Sequence, residues 1–375
     1  MKRGHLDQIE GLRGYLALWV ALGHGLQLSG FLSLPGPLGV LLRGEAAVAI
    51  FMILSGFVIT HLLLQGRETY SQYITRRFLR LFPAYALCCA IGYLILGPWA
   101  HIVQTVSWQD LPGWAEYSRG VAEIASQTHN NTAPHALLHL FMLHGLIPDE
   151  LLPRAAMTFL PAAWSLSLEW QFYLVAPLIL RAFGSPVKTV LCAVVFALLL
   201  VAYEKGFLGS YPIPATLAAT SGYFAIGILS RLLYPELEKL NYSPVAIAAA
   251  SAFLMLAFSS EFLPLSIWLV FYSFLVWGRT SPVAGSVFSF FFATRIPLFL
   301  GGLSYSLYLI HRPIQVILGD LALGVADLSR PQMVAIQIAA IIAAVPAAYL
   351  IHRFVELPGI ALGKRLTRRE QVKLA

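Results

Sequence analysis

The chain has 375 residues, of which 58% are hydrophobic and 11% charged, with a formal net charge of +7 and a mean hydropathy of +0.73. A soluble domain carries about 25% charged residues, so the composition excludes a soluble globular protein and points to a chain that crosses a membrane many times. The positive excess is not a nucleic-acid footprint, because the basic residues fall between apolar runs and at the ends, where they set topology.

Ten apolar runs are predicted to span, near residues 12–30, 45–65, 80–99, 163–182, 187–203, 212–233, 243–260, 262–278, 297–319 and 332–354. Each approaches the roughly 17–25 residues needed to cross. With the N-terminus inside, 19 of the 25 Lys and Arg fall on the cytoplasmic side. The positive-inside rule then places both termini in the cytosol. The expected architecture is all-α, a polytopic transmembrane helical bundle in the inner (plasma) membrane. Residues 1–358 form its transmembrane domain and 359–375 a basic cytoplasmic tail on anionic lipid. No cleavable signal peptide is expected. Cys88, Cys89 and Cys192 lie in apolar runs and show neither a disulfide framework nor a metal spacing.

The first run carries Arg13 and His24. Eleven steps of roughly 100° come within about 20° of whole turns, so on a helix the two share one face, about 16 Å apart. Ionisable groups inside a membrane are costly and usually functional. An imidazole can take a proton from an attacking hydroxyl, and an arginine suits phosphate. A buried helix-contact histidine is the plain alternative. Glu45, at the outer start of the second run, is a further candidate, with a surface role as its alternative.

The stretch Tyr73–Tyr85 reads as a basic loop before the third span, with Arg77 and Arg80 at i, i+3. They sit where a cytosolic phosphorylated compound would arrive, although topology signalling alone accounts for such charges. Residues 100–161 read as one large outer loop. Within it His135, His139 and His144 lie in a segment too short to cross comfortably, re-entrant or interfacial. Only the first two share a helical face and no carboxylate is adjacent, so no metal site is expected.

In the fourth span Ser165, Glu169 and Tyr173 follow i, i+4 spacing. A bare carboxylate there needs a partner; it can orient an imidazole, bind a sugar hydroxyl, or simply hold a cation. In the ninth span Ser304, Tyr308, His311 and Arg312 form a polar stripe, with Pro313 expected to loosen the helix. The stripe lines an acceptor cleft or is purely structural.

Taken in order, Arg13–His24, Phe51–Phe57, Arg77–Arg80, Trp164–Glu169, Ser304–His311 and Glu356-Leu357-Pro358 resemble the membrane acyltransferase-3 family, the integral-membrane O-acyltransferases of surface glycans. The resemblance covers nearly the whole chain and implies transfer of an acyl group, usually acetyl, from cytosolic acetyl-CoA to a hydroxyl. By that likeness His24 is catalytic and Glu169 assists at the acceptor side. Arg13, Arg77 and Arg80 hold the donor, while Glu45, Ser165, Tyr308 and His311 face the acceptor, a glycan or lipid-linked saccharide. Ala49 stands where many members carry Asp, and Met52 where many carry Phe. The first difference removes one partner for His24 and leaves open what orients the imidazole. No SGNH esterase-like domain is expected after the last span, so transfer is direct or completed by a separate protein. An acyl-histidine intermediate also stays open. Two other classes are a flippase of a lipid-linked glycan and an assembly partner of a glycan polymerase, for which His24 would be dispensable. Oligomeric state, acyl length and the acceptor's identity are not legible.

Overall fold

The computed structural model describes residues 4–66, 68–239, 247, 262–278 and 281–374, and contains no strand among them. Its helices are α1 (Gly4–Leu28), α2 (Gly44–Gln65), α3 (Tyr70–Leu94), α4 (Leu96–Thr105), α5 (Trp114–Asn130), α6 (Thr132–Leu140) and α7 (Trp164–Ala182). There follow α8 (Pro186–Glu204), α9 (Leu217–Leu237), α10 (Leu263–Trp277), α11 (Pro282–Phe292), α12 (Arg295–Leu323), α13 (Arg330–Ile351) and α14 (Leu357–Leu374). A helix underlies nine of the ten expected spans; the one expected at 243–260 lies outside the described residues except for residue 247. By length and composition five of the described helices can cross a membrane, or six if the bent pair α11 and α12 counts as one span. The described residues are therefore all-helical, with several helices apolar and long enough for a membrane protein.

Local chemistry sets several boundaries. Thr69 and Gln72 form a reciprocal capping box at the start of α3, satisfying two of the orphan amides of a helix N-terminus. As a result the basic stretch expected as a loop is helical, and Arg76, Arg77 and Arg80 lie in the first three turns of α3. Ser329 and Gln332 repeat the box at α13. Pro313 does not interrupt α12, which runs unbroken from Arg295 to Leu323. The bend falls earlier, between α11 and α12, at 54°. Residues 100–161, expected as a loop, carry the end of α4 and all of α5 and α6.

The chain forms two compact units. The first comprises Met1–Val20, Arg43–Gly66 and Gly222–Ser304. Its core is aromatic, with Phe57 against Tyr234, Trp268 and Tyr272. Such rings contribute large buried area and edge-to-face contacts. In this unit α2 and α9 touch backbone to backbone. A Cβ on Gly227 would stand 2.0 Å from the Ile53 carbonyl oxygen, and one on Gly56 2.4 Å from that of Phe224. Small residues at such contacts replace the hydrophobic drive that lipid removes.

The second unit comprises Ala21–Leu42, Arg67–Ser221 and Tyr305–Ala375. Its core joins Leu28, Trp99, Ile102, Trp108, Trp114, Val316 and Met333. Here α14, expected as a tail, is seated on α3: a Cβ on Gly359 would meet the Leu79 carbonyl oxygen at 2.4 Å. In contrast, α8 has no buried residue, as befits an apolar helix facing hydrocarbon.

Gly227→Ala should lower the unfolding temperature in detergent, since overpacking costs about 1–3 kcal/mol. Gly222→Ala on the same helix, where a Cβ would meet nothing within 4 Å, should be neutral or stabilising by up to about 1 kcal/mol. Equal melting shifts for the two variants would refute this account of the α2–α9 contact.

Candidate active site

Within the second unit α1, α3, α7 and α12 each contribute polar side chains. His24, half-buried in the last two turns of α1, places Nδ1 2.9 Å from Nε2 of His311. The ring centroids are 5.2 Å apart and the planes differ by 17°. That separation is the 2.9 Å contact plus the two ring radii, so the imidazoles meet edge to edge, nearly coplanar. His311 is fully buried, and its Nδ1 lies 3.2 Å from the Leu307 carbonyl oxygen one turn earlier.

The neighbours of His311 clamp the same contact. Arg312 Nη1 donates to the His24 carbonyl at 3.1 Å. Its Nη2 donates to the Tyr117 hydroxyl, and its guanidinium lies 4.6 Å over the Trp99 ring. Gln315 Nε2 donates to the Ala21 carbonyl at 2.7 Å. Because His311, Arg312 and Gln315 recur at helical spacing, one stripe of α12 grips two carbonyls and one imidazole of α1. Deep in an apolar protein these bonds matter, because an unmade one leaves a polar group with no water to turn to.

One turn before His311, Tyr308 donates to the Ala162 carbonyl at 2.8 Å and its oxygen lies 2.8 Å from the Ser165 hydroxyl. Its ring centroid is 6.0 Å from that of His311. Ser165 and Tyr308, expected at the acceptor, thus satisfy one another. Glu169, one turn below Ser165, accepts from the Tyr173 hydroxyl and lies within electrostatic reach of Tyr308 and of Arg80. Tyr173 is in turn within reach of Arg77 and Arg80. The Nδ1 partner of His24 is therefore His311, while Glu169 belongs to the arginine end of the same polar seam.

The three arginines of α3 differ. Arg76 is held by Glu68 and by Thr367. Arg80 has Glu169 and Glu356 within electrostatic reach. Arg77 keeps a buried Nε with no protein partner, which fits an anion-binding role best. Arg13 and Glu45 belong to the first unit, where Arg13 is half-buried and Glu45 is exposed and paired with Arg43. A cavity of about 780 Å³ in that unit is lined mostly by apolar side chains, Phe271, Phe274 and Phe288 among them, together with Ser266 and Ser281, and none of the expected site residues lines it.

Two residues do more than the sequence suggests. Arg312, expected in a stripe that lines an acceptor cleft or is structural, clamps the His24 carbonyl. Glu356 was seen as a motif residue only; it is buried in a π-helical turn, His352–Glu356, where it accepts from Ser306 at 2.9 Å and contacts His352 at 2.9 Å. The available signal was a carboxylate straight after a long apolar span, where an unpaired charge is expensive.

A second polar cluster lies beside α6. Tyr85 OH is 2.6 Å from Nδ1 of His139 and 3.2 Å from Nδ1 of His144. The two rings stack face to face at 3.9 Å. His144 comes onto His139 because α6 ends at Leu140, so helical spacing does not govern its direction. His139 and His144 also bond Thr158 and the Ala163 carbonyl, while both ring nitrogens of buried His135 have no protein partner. Among the described residues no group of three or more His, Cys, Asp or Glu is placed to hold a metal ion.

Comparison with known proteins points in one direction. The profile of the acyltransferase-3 family, described as an acyltransferase domain, matches residues 6–353. A curated protein, acyltransferase MdmB of Streptomyces mycarofaciens, is 27% identical over 183 residues, covering 46% of this chain and 38% of that protein. The match thus spans well under two thirds of that relative. No solved structure matches.

Burial lowers the pKa of His135 to about 4 and that of His144 to about 3, against an ordinary value of about 6.5. Between these limits the unfolded chain binds protons that the folded one refuses. Stability is therefore present above about pH 6.5 and is lost as pH falls toward 4, by up to about 1.4 kcal/mol per pH unit per histidine. Unfolding in detergent from pH 7 to pH 4 should show this slope, and His144→Asn should flatten it. An unchanged slope would contradict the assignment.

Proposed function

The chain belongs to the acyltransferase-3 family, and we propose that it is an O-acyltransferase that moves an acyl group, acetyl by preference, from cytosolic acyl-CoA to a hydroxyl of an exported or cell-surface glycan. The protein sits in the inner membrane with both termini in the cytosol, so that α3 presents its arginines to the donor. The nucleotide end of acetyl-CoA binds at Arg77 and Arg80, and the thioester reaches toward His24. His24 takes the proton of the acceptor hydroxyl as its oxygen attacks the thioester carbonyl. The new C–O bond forms, the C–S bond breaks, and the proton passes to the departing CoA sulfur. Such base assistance contributes about 10²–10⁴-fold, with positioning of both reactants adding to it.

The observation that carries this reading is the polar seam of the second unit. A histidine inside an apolar helix is joined through His311, Tyr308, Ser165 and Glu169 to a paired-arginine end that holds one buried, unpartnered guanidinium nitrogen. Buried polar groups are kept in such places when they have work to do, and family membership supplies the type of work.

Mass spectrometry of surface glycans with and without the protein should reveal a difference of one acyl group; identical glycans would reject the acceptor class. His24→Ala should abolish transfer while expression and acetyl-CoA binding persist. Arg77→Ala should raise KM for acetyl-CoA by roughly tenfold, the worth of a lost charge-assisted hydrogen bond, with kcat nearly unchanged. An unaltered KM would remove Arg77 from the donor site.

A further inference from the structure

We infer that His311 is a positioning residue for His24: it accepts the Nδ1 proton of His24 and thereby fixes His24 Nε2 as the bare nitrogen that acts as base. This deepens the acyl-transfer reading above and rests on it.

The argument starts at the far side of His311. Its Nδ1 faces the Leu307 carbonyl oxygen at 3.2 Å. A carbonyl oxygen only accepts, so Nδ1 of His311 carries the hydrogen. A neutral imidazole has one N–H and one lone pair, which leaves Nε2 of His311 as an acceptor. The atom 2.9 Å from that lone pair is Nδ1 of His24, which must donate. The single proton of neutral His24 is then on Nδ1, and its Nε2 is unprotonated. The opposite assignment would set the bare Nδ1 of His311 against the Leu307 oxygen, two lone pairs facing across a buried contact.

The arrangement is also rigid. His311 is fully buried, and its ring is fixed at both nitrogens. The next residue, Arg312, ties the α12 backbone to the His24 carbonyl. The near-coplanar rings direct the His24 Nδ1–H along the His311 lone pair. This is the logic by which a base is oriented by a third group: the partner selects the tautomer and stabilises the imidazolium that forms as the hydroxyl proton arrives. During turnover the proton on His24 Nδ1 stays in its hydrogen bond, and the transferred proton enters and leaves at Nε2.

The first test needs no activity. Purified protein labelled with ¹⁵N-histidine in detergent micelles, read by long-range ¹H–¹⁵N correlation at neutral pH, should show His24 as the Nδ1–H tautomer, with the signal identified by its loss in His24→Ala. An Nε2–H tautomer for His24 overturns the inference. The second test measures CoA release from acetyl-CoA in membranes that contain the acceptor. His311→Phe keeps the bulk and removes the lone pair; it should lower kcat by about 100-fold or more with KM for acetyl-CoA little changed. His311→Asn, whose Oδ1 can accept, should recover part of that loss. A raised KM with unaltered kcat in His311→Phe would place the residue in donor binding and refute the positioning role. If His24→Ala is inactive while His311→Phe retains full activity, the inference fails and the acyl-transfer reading survives. If His24→Ala is itself active, both fall.

Discussion

The structure depends on satisfying polar groups where no water can reach them. In hydrocarbon an unpaired carbonyl, imidazole or guanidinium costs several kcal/mol, and this constraint explains where the polar side chains of the second unit go. The stripe His311, Arg312 and Gln315 of α12 meets an imidazole and two backbone carbonyls of α1. Each contact would be unremarkable at a surface. Inside an apolar protein they give the buried donors of Arg312 and Gln315 an acceptor, each carbonyl taking a second bond beside its helical one. The partners therefore hold fixed orientations, and chemistry that depends on one lone pair can be built on them.

The same constraint sorts the arginines of α3. Arg76 is tied to Glu68 and Thr367, and Arg80 has two carboxylates within reach. Those carboxylates have their own supports, Glu169 from Tyr173 and Glu356 from Ser306 and His352. Arg77 stands apart because its buried Nε is left over. A guanidinium tied directly to a carboxylate, as Arg76 is to Glu68, holds a phosphate poorly, since the ligand must displace an existing partner. The one with donor capacity in reserve suits an anion that comes and goes. The capping box at Thr69 and the seating of α14 on Leu79 fix the helix that presents it.

Much of the helical pattern was legible. Nine of the ten expected spans coincide with helices because the signal is additive over about twenty residues and tolerates local exceptions. Polar residues within those runs fall on α1, α7 and α12, whose side chains meet in the second unit. What hydropathy could not provide was pairing. Nothing in the residues around His24 indicates that its partner lies 287 positions later, since a lone histidine in a later span has no sequence mark that sets it toward one helix rather than another. Charge lowers hydropathy and makes the basic stretch at Tyr73–Tyr85 resemble a loop, yet Thr69 and Gln72 carry the capping box that starts α3. Helical phase sets His144 off the face of His135 and His139, but that criterion lapses four residues earlier, where α6 ends.

The use of imidazole rather than carboxylate beside His24 has an energetic logic. A carboxylate orienting a histidine must itself be desolvated as an anion, and in an apolar interior that penalty is repaid only by several well-placed donors. A neutral imidazole offers one lone pair, enough for the single N–H it must accept, with far less to desolvate, provided that its other nitrogen is satisfied. The Leu307 carbonyl, one turn back on the same helix, satisfies it at no cost in additional charge. The electrostatic pull on the developing imidazolium is weaker than a carboxylate would exert, so His311 contributes more by orientation than by charge. In the proposed reaction that division suits His24 as base: the geometry is set in advance by neutral groups, and charge appears only as the proton arrives.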